Sequence, residues 1–314
     1  MPLDLSIMIT TKNRLCDLQR TCSVLRQLAP APREILITAD GCEDGTGEFI
    51  RREMPDARLI VNDVGRGSIA ARDCMMREAT GDLVFSLDDD SYPQEPNCLA
   101  TIRTLFEQRP ALAVLHFPQC TDEYPETLPR FDFGPARLTR SFSSSGAVLR
   151  RSAYLELDGF DPAFFHAYEE PDYSLQCVAS GREILYHPAV SIRHHYSGLA
   201  RNERRTHHRH ARNEFWSTLR RCPFPQAVPV AAYRVYSQFR YGWSRGLEWA
   251  VREPAWWWQA LPGIPRCLRE RSPVTWRAYR QWLALPEIAY PPEPSTRKNG
   301  ENDGGETAGS PRMA

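Results

Sequence analysis

The sequence predicts an α/β fold, a mostly parallel sheet flanked by helices, followed by a helical C-terminal appendage. Three observations carry this. Short apolar runs alternate with segments of helical periodicity through the first half of the chain. Several of those runs end in a polar or acidic residue. From about residue 201 the composition shifts to Arg, His, Trp and Tyr, in stretches split by prolines.

Leu5 to Ile9 reads as a buried strand ending at Thr10 and Thr11. Leu15, Leu18, Cys22, Leu25 and Leu28 repeat at helical spacing. Residues 34–38 form a second strand that runs into the turn signal Asp40-Gly41. Thr46 to Glu53 suits a short helix, residues 58–61 a third strand, and residues 68–79 a helix that stops before Gly81. Residues 82–87 form a fourth strand leading straight into Asp88-Asp89-Asp90. Next come a helix after residue 97 to about Gln108, a strand at 112–117 and a Pro-rich loop over roughly 118–140. A strand from Gly146 to Arg150, a helix at 169–180 and a strand at 184–194 interrupted by Pro188 complete this part. Alternating strands and helices imply parallel pairing with right-handed crossovers, and ligands then bind beyond the carboxyl ends of the strands. Thr11, Asp40 and Asp88–Asp90 converge on that rim. The expected organisation is a sheet domain over 1–200, a helical region over 201–290 and a disordered Pro/Gly/Glu/Ser-rich tail over 291–314.

The 314 residues are 42% hydrophobic, enough for one sizeable core and a smaller unit. Lys+Arg and Asp+Glu both total 39, so no uniformly basic nucleic-acid surface is expected. Nine cysteines are scattered without a C-x-x-C pair. That pattern argues against a disulfide framework or structural zinc and for a reducing cytoplasm. No charged leader with an apolar h-region precedes Leu5, and no apolar run approaches about 18 residues, so neither a secretory signal nor a spanning helix is expected.

Four clusters are candidates for chemistry. Three consecutive carboxylates, Asp88, Asp89 and Asp90, at a strand end need neutralising, and Mg²⁺ or Mn²⁺ shared with substrate phosphates would do so; the alternative is a solvated acidic loop. Asp40, with Glu43, Asp44 and Thr46 after it, could hydrogen-bond a base or ribose, or simply start a capped turn. Glu169, Glu170 and Asp172 follow Phe164, Phe165 and Tyr168. Clustered carboxylates there could raise one pKa into the range of a general base, or form the acidic first turn of a helix. His194 and His195 end a strand, where a neutral imidazole could ligate a metal or be structural.

Taken together, these residues resemble the family 2 glycosyltransferases, whose GT-A fold is Rossmann-like within the nucleotide-diphospho-sugar transferase superfamily. Ile9 to Arg14 looks like the family's first strand and turn. Asp40 to Thr46 looks like D-x-S-x-D-x-T, with Cys42 in the place of Ser. Gly67 to Gly81 looks like the G-x-x-x-A-R-N helix and A-x-G, with Asp73 for Asn. Asp88-Asp89-Asp90 falls where the metal-binding D-x-D belongs. Glu169 to Asp172 resembles E-D-x-D, with Glu170 at the usual Asp position. Gly181, Ile184, Tyr186, Pro188 and His194 match the G-x-x-I-x-Y-x-P stretch and its following His. The likeness covers roughly residues 4–198.

The resemblance implies an inverting, metal-dependent transfer of a sugar from a nucleotide-diphosphate donor to an acceptor hydroxyl. Thr11, Arg14, Asp40, Arg72, Asp88 and Asp89 would line the donor nucleotide. Asp90, Asp88 and His194, with His195 second to it, would hold Mn²⁺ or Mg²⁺. Glu170 would be the base, with Glu169 and Asp172 on the acceptor side. A sugar-phosphate nucleotidyltransferase ranks below this, because residues 10–14 lack the Gly-rich phosphate loop. A non-catalytic binding scaffold of the same fold would be expected to have lost the acidic triplet or the base.

Residues 201–212 hold five arginines and three histidines. They could cover the donor diphosphate or seat a phosphorylated acceptor, or form a solvated helix face. Seven tryptophans lie among many arginines in 241–285. They are expected to pack on the catalytic domain or a second subunit, with peripheral membrane contact as the other reading.

Overall fold

The computed structural model describes residues 2–121, 134–195 and 202–287. The chain opens with β1 (Leu5–Thr11), α1 (Leu15–Leu25), β2 (Glu34–Asp40), α2 (Thr46–Glu53), β3 (Arg58–Asn62), α3 (Ser68–Glu78) and β4 (Leu83–Asp88). It continues through β5 (Ser91–Pro93), α4 (Cys98–Gln108), β6 (Leu112–His116), β7 (Gln119–Cys120), β8 (Arg137–Leu138) and β9 (Gly146–Arg150). Then follow α5 (Arg151–Glu156), α6 (Glu169–Ala179), β10 (Glu183–Tyr186) and β11 (Ile192–His194). The last helices are α7 (Glu203–Arg221), α8 (Ala227–Ser244), α9 (Leu247–Ala250), α10 (Pro254–Ala260), α11 (Ile264–Arg269) and α12 (Trp276–Ala284). The expected tail at 291–314, the boundary at 200 and part of the 118–140 loop lie outside the described residues.

Eight strands form one sheet in the order β3-β2-β1-β4-β9-β6-β10-β8. β1 pairs in parallel with β2 and β4, as do β2 with β3 and β6 with β10. β9 runs antiparallel between β4 and β6. The reason lies in the connection: a parallel neighbour needs a crossover, usually a helix, and the Pro-containing stretch between β6 and β9 has no helical periodicity. Three short strands, β5, β11 and β7, form a second small sheet.

Both faces of the large sheet are buried, which explains why its strands read as continuous apolar runs. Alternation sorts the side chains: Leu5, Ile7 and Ile9 join Leu83, Phe85 and Leu87 beneath α1 and α4, while Met8 and Val84 point the other way. That second face meets α3, α5 and α6, and its apolar cluster continues without a break into Trp216 and Cys222 and into Tyr279 and Trp282 of α12. The indole N–H groups are satisfied too: Trp216 donates to the Ala260 carbonyl at 2.9 Å and Trp282 to the Arg140 carbonyl at 2.8 Å. Packing therefore accounts for Trp216, Trp256 and Trp282, whereas Trp243, Trp257 and Trp258 face solvent. None of the described helices is long and apolar enough to cross a membrane.

Candidate active site

Because β2, β1 and β4 are parallel neighbours, Asp40, Thr11 and Asp88 end on one rim, as the sequence pattern implies. Asp40 is largely committed there. Its Oδ1 accepts from the Asn62 amide and the Arg66 backbone, and its Oδ2 from the Gly67 backbone, all at 2.8 Å. It thus fixes the turn that opens α3. Gly67 (φ +94°) has to be glycine, since a Cβ would lie 2.4 Å from the Phe165 carbonyl oxygen.

The acidic triplet is neutralised largely from within the protein. Arg14 places Nη1 3.0 Å from Asp89 Oδ1 and Nη2 2.6 Å from Asp90 Oδ2. Arg72 of α3, almost fully buried, pairs with Asp88. Two arginines distant in sequence thus do much of the neutralising that the triplet by itself would leave to a cation, and only folding brings them to it. Burial, reinforced by Asp90 and Asp88 and opposed by Arg14, pushes the Asp89 carboxyl up to about 7. Burial acts the same way on Asp90, but His194 and Arg14 outweigh it and hold that carboxyl below the usual range.

β11 delivers the histidine. Its register sets His194 opposite Ser91, and the His195 backbone N–H donates to the Asp90 carbonyl at 2.9 Å. His194 Nε2 lies 3.3 Å from Asp90 Oδ1, an atom that is buried and otherwise without a hydrogen-bond partner. One ligating atom each from Asp88, Asp90 and His194 lies within 4.8 Å of the others. His195 instead meets the Tyr92 hydroxyl through Nε2 at 2.9 Å, which separates the two histidines. Gln119 of β7, for which the sequence carried no signal, is 2.7 Å from His194 Nδ1 through Oε1, while its Nε2 donates to Ser143 and Ser145 at 2.8 and 2.7 Å. With that amide donating to two hydroxyls, Oε1 accepts from Nδ1–H and Nε2 is directed at Asp90, as a donor when the ring is protonated and as a lone pair for a cation when it is neutral. Two carboxylates and such an imidazole are a suitable donor set for a divalent cation such as Mn²⁺.

Across Arg72 from the triplet stands the start of α6. Glu169 Oε1 is 3.8 Å from Arg72 Nη1, and its Oε2 is buried without a partner. Glu170 accepts from the Ser144 backbone N–H at 3.3 Å. Burial raises both carboxyls above the ordinary glutamate range, with Glu170 adding to the effect on Glu169 and Arg72 opposing both. The acidic first turn of a helix and the carboxylate cluster facing Arg72 are therefore the same object. Phe165, Ala167 and Tyr168 precede it with positive φ. The fully buried Asn213 of α7 holds that backbone, donating to the carbonyls of Phe164, His166 and Ala167 at 3.1, 3.0 and 2.7 Å. Nothing in the sequence around Asn213 signals this clamp.

Asp172, expected on the acceptor side, requires a correction. It turns away from the rim: Ser217 donates to Oδ1 at 2.6 Å, Gln176 to Oδ2 at 2.9 Å, and Arg221 to both oxygens. Pro171 separates it from Glu170 by two positions, and that rotation around the helix carries it to α7.

Residues 6–162 match the family described as Glycosyl transferase family 2. This chain belongs to that family. Glycosyltransferase YwdF of Bacillus subtilis (strain 168), itself uncharacterized, is 29% identical over 213 residues, covering 64% of this chain and 77% of that protein. Mannosyltransferase PcManGT from Pyrobaculum calidifontis, solved with GDP-Man and Mn²⁺, superposes with a TM-score of 0.57 at 18% identity, over 90% of this chain and 83% of its own. GalNAc-T7 with UDP, GalNAc and Mn²⁺ gives 0.57 at 15% identity over 71% of this chain, which spans 49% of that protein's length. The architecture of this glycosyltransferase is thus the GT-A fold. Family membership sets aside the nucleotidyltransferase reading.

Proposed function

We propose that this glycosyltransferase is inverting and metal-dependent, and that it moves a sugar from a nucleoside-diphosphate donor to an acceptor hydroxyl with Glu170 as the base. The observation that carries the reading is the position of Arg72, one guanidinium paired with Asp88 of the candidate metal cluster and lying 3.8 Å from Glu169 of the candidate base cluster. In this reading the leaving diphosphate sits at the first cluster and the attacking hydroxyl at the second, so that the transferred sugar lies between them.

Thr11, Arg14, Asp40 and Asp89 line the nucleotide end in this reading, and Asp88, Asp90 and His194 hold the cation. Mn²⁺ is favoured over Mg²⁺ because one ligand is imidazole and because PcManGT and GalNAc-T7 were solved with Mn²⁺. When bound, the cation supplies Lewis-acid compensation for charge on the diphosphate. Glu170 takes the acceptor proton while the acceptor oxygen bonds to the anomeric carbon. The bond from that carbon to the donor phosphate oxygen breaks, and its electron pair leaves with the nucleoside diphosphate. Arg72 offsets the growing negative charge without reorganising. The elevated pKa of Glu170 favours proton uptake near working pH.

A panel of nucleotide sugars, assayed with Mn²⁺ and with chelator, tests the reading, with the product anomer assigned by NMR. Retained configuration would remove the inversion, and undiminished turnover in chelator would remove the metal.

A further inference from the structure

A cleft of about 410 Å³ opens along the first turns of α7, lined by Arg204, Arg205, His208, Arg209, Arg212 and Gln259. Its charge is unbalanced. Arg204 reaches Glu248 at 3.1 Å, but no carboxylate among the described residues is ion-paired with Arg205, Arg209 or Arg212. Arg209 lies 4.6 Å over the Phe165 ring and Arg212 4.4 Å over Trp216. Arg212 spends Nε and Nη2 on Asn213 Oδ1 and the Phe164 carbonyl at 2.9–3.0 Å, which leaves Nη1, together with the guanidinium edges of Arg205 and Arg209, to meet a ligand. Burial, and then the neighbouring arginine, disfavour the charged form of each. His208 is 7% exposed, and its Nε2 has no hydrogen-bond partner, Glu253 Oε1 being 3.8 Å away. A protein with zero formal net charge has therefore concentrated uncompensated cations around one concavity. Planar guanidinium forks match phosphate oxygens, and a cavity of this size holds a diphosphate together with part of a sugar.

The cleft adjoins the candidate base through Phe165. The ring that carries Arg209 also packs against Gly67 at the start of α3, and the Phe165 carbonyl accepts from the Ile69 N–H at 3.5 Å and lies four positions before Glu169. The donor diphosphate already has its place at Asp88, Asp90 and His194. We propose that this cleft binds the phosphate or diphosphate of the acceptor, which is then a phosphorylated or diphosphate-linked glycan or a lipid headgroup of that chemistry. The proposal rests on the reading that places the acceptor on the Glu170 side.

The test measures binding of inorganic pyrophosphate to the full chain by calorimetry without added metal, and separately binding of UDP or GDP with Mn²⁺. Arg205→Ser, at an exposed position, and the Arg205→Ser/Arg209→Ser double variant are expected to weaken pyrophosphate at least tenfold while nucleotide binding with Mn²⁺ stays within twofold. His194→Ala is expected to do the reverse. Pyrophosphate binding that is absent in the wild type, or unchanged in both arginine variants, overturns the site. Nucleotide binding that falls in parallel with pyrophosphate overturns its assignment to the acceptor, because the cleft then belongs to the donor. Loss of nucleotide binding in the wild type counts against the proposed function instead and leaves the pyrophosphate result to stand by itself. Flotation with phosphatidic-acid vesicles identifies the source: binding that the arginine variants lose indicates a headgroup, and wild-type binding to pyrophosphate alone indicates a soluble phosphorylated acceptor.

Discussion

Asp172 and Arg221 form a buried ion pair between α6 and α7, with Arg221 Nε 3.3 Å from Oδ1 and Nη2 3.2 Å from Oδ2, and side chains 1% and 2% exposed. Two residues before Asp172 stands Glu170. The pair and the Asn213 clamp thus tie the C-terminal helices to the turn that presents the candidate base. Removing the Asp172 charge leaves the buried Arg221 paired with the half-exposed Asp158 alone, so Asp172→Asn is expected to cost about 2 kcal/mol in urea unfolding. A loss below about 0.5 kcal/mol, the scale of ordinary surface substitutions, would show that the pair is not holding the helices. The pH sign follows from the pair. Burial would raise the Asp172 carboxyl, but Arg221 and Ser217 hold it below the ordinary range. Its stabilisation is therefore present above the unfolded-state pKa of about 3.9 and lost as pH falls through the lower folded value. The Asn variant should lack that part of the acid-unfolding transition.

Local pattern made much of the sheet legible and little of its wiring. The bounds of α2 and α4, and those of the first four strands to within two residues, follow from periodicity and turn signals, because these elements bury one face or two. Asp88, Asp90 and His194 were readable as a set only through their resemblance to a family. Nothing local to Asp90 announces Arg14, which is 76 positions away, or Gln119 behind His194. Asp172 misled for the converse reason: its motif spacing was right, but helical rotation and a partner in α7 determine where it points. The short strands β5, β7 and β8 were missed because two or three residues carry no period.

The imidazole is expected to matter through its tautomer as well as its presence. His194→Ala and Asp90→Ala should abolish Mn²⁺-dependent thermal stabilisation by the cognate nucleoside diphosphate. Gln119→Leu removes the acceptor for Nδ1–H and should weaken Mn²⁺ affinity by roughly tenfold, the usual scale for such outer partners. Calorimetric titration with Mn²⁺ reads this directly. Unchanged affinity in Gln119→Leu would show that the amide does not orient the ring.

For Glu170, half-buried and raised above the ordinary glutamate pKa, the basic form is populated only at higher pH than for an exposed glutamate. The rate should therefore climb with pH, with an apparent pKa above about 4.3, and then level off. Glu170→Gln is expected to lose roughly 10²- to 10⁴-fold in kcat while keeping nucleotide affinity. A steady-state pH profile of kcat/KM checks the first part; an acidic limb at the ordinary carboxylate value points to another base.

Peripheral membrane contact, the other reading of the Trp/Arg-rich C-terminal region beside packing, now has specific side chains to test. Trp243, Leu247 and Trp258 are 62%, 70% and 72% exposed, whereas Trp216, Trp256 and Trp282 are committed to packing. A 1–200 truncation cannot decide the matter, because it would remove Arg221 from Asp172 and Trp282 from the core, and the fragment would expose new apolar surface. The informative comparison keeps the fold: full chain against a Trp243→Ser/Trp258→Ser double variant, floated with vesicles rich in anionic lipid. Aromatic side chains insert at the headgroup level while arginines meet the anionic surface. The wild type is expected to float and the double variant to remain in the dense fraction with an unchanged Tm. Equal flotation of the two would assign these tryptophans to contacts other than lipid.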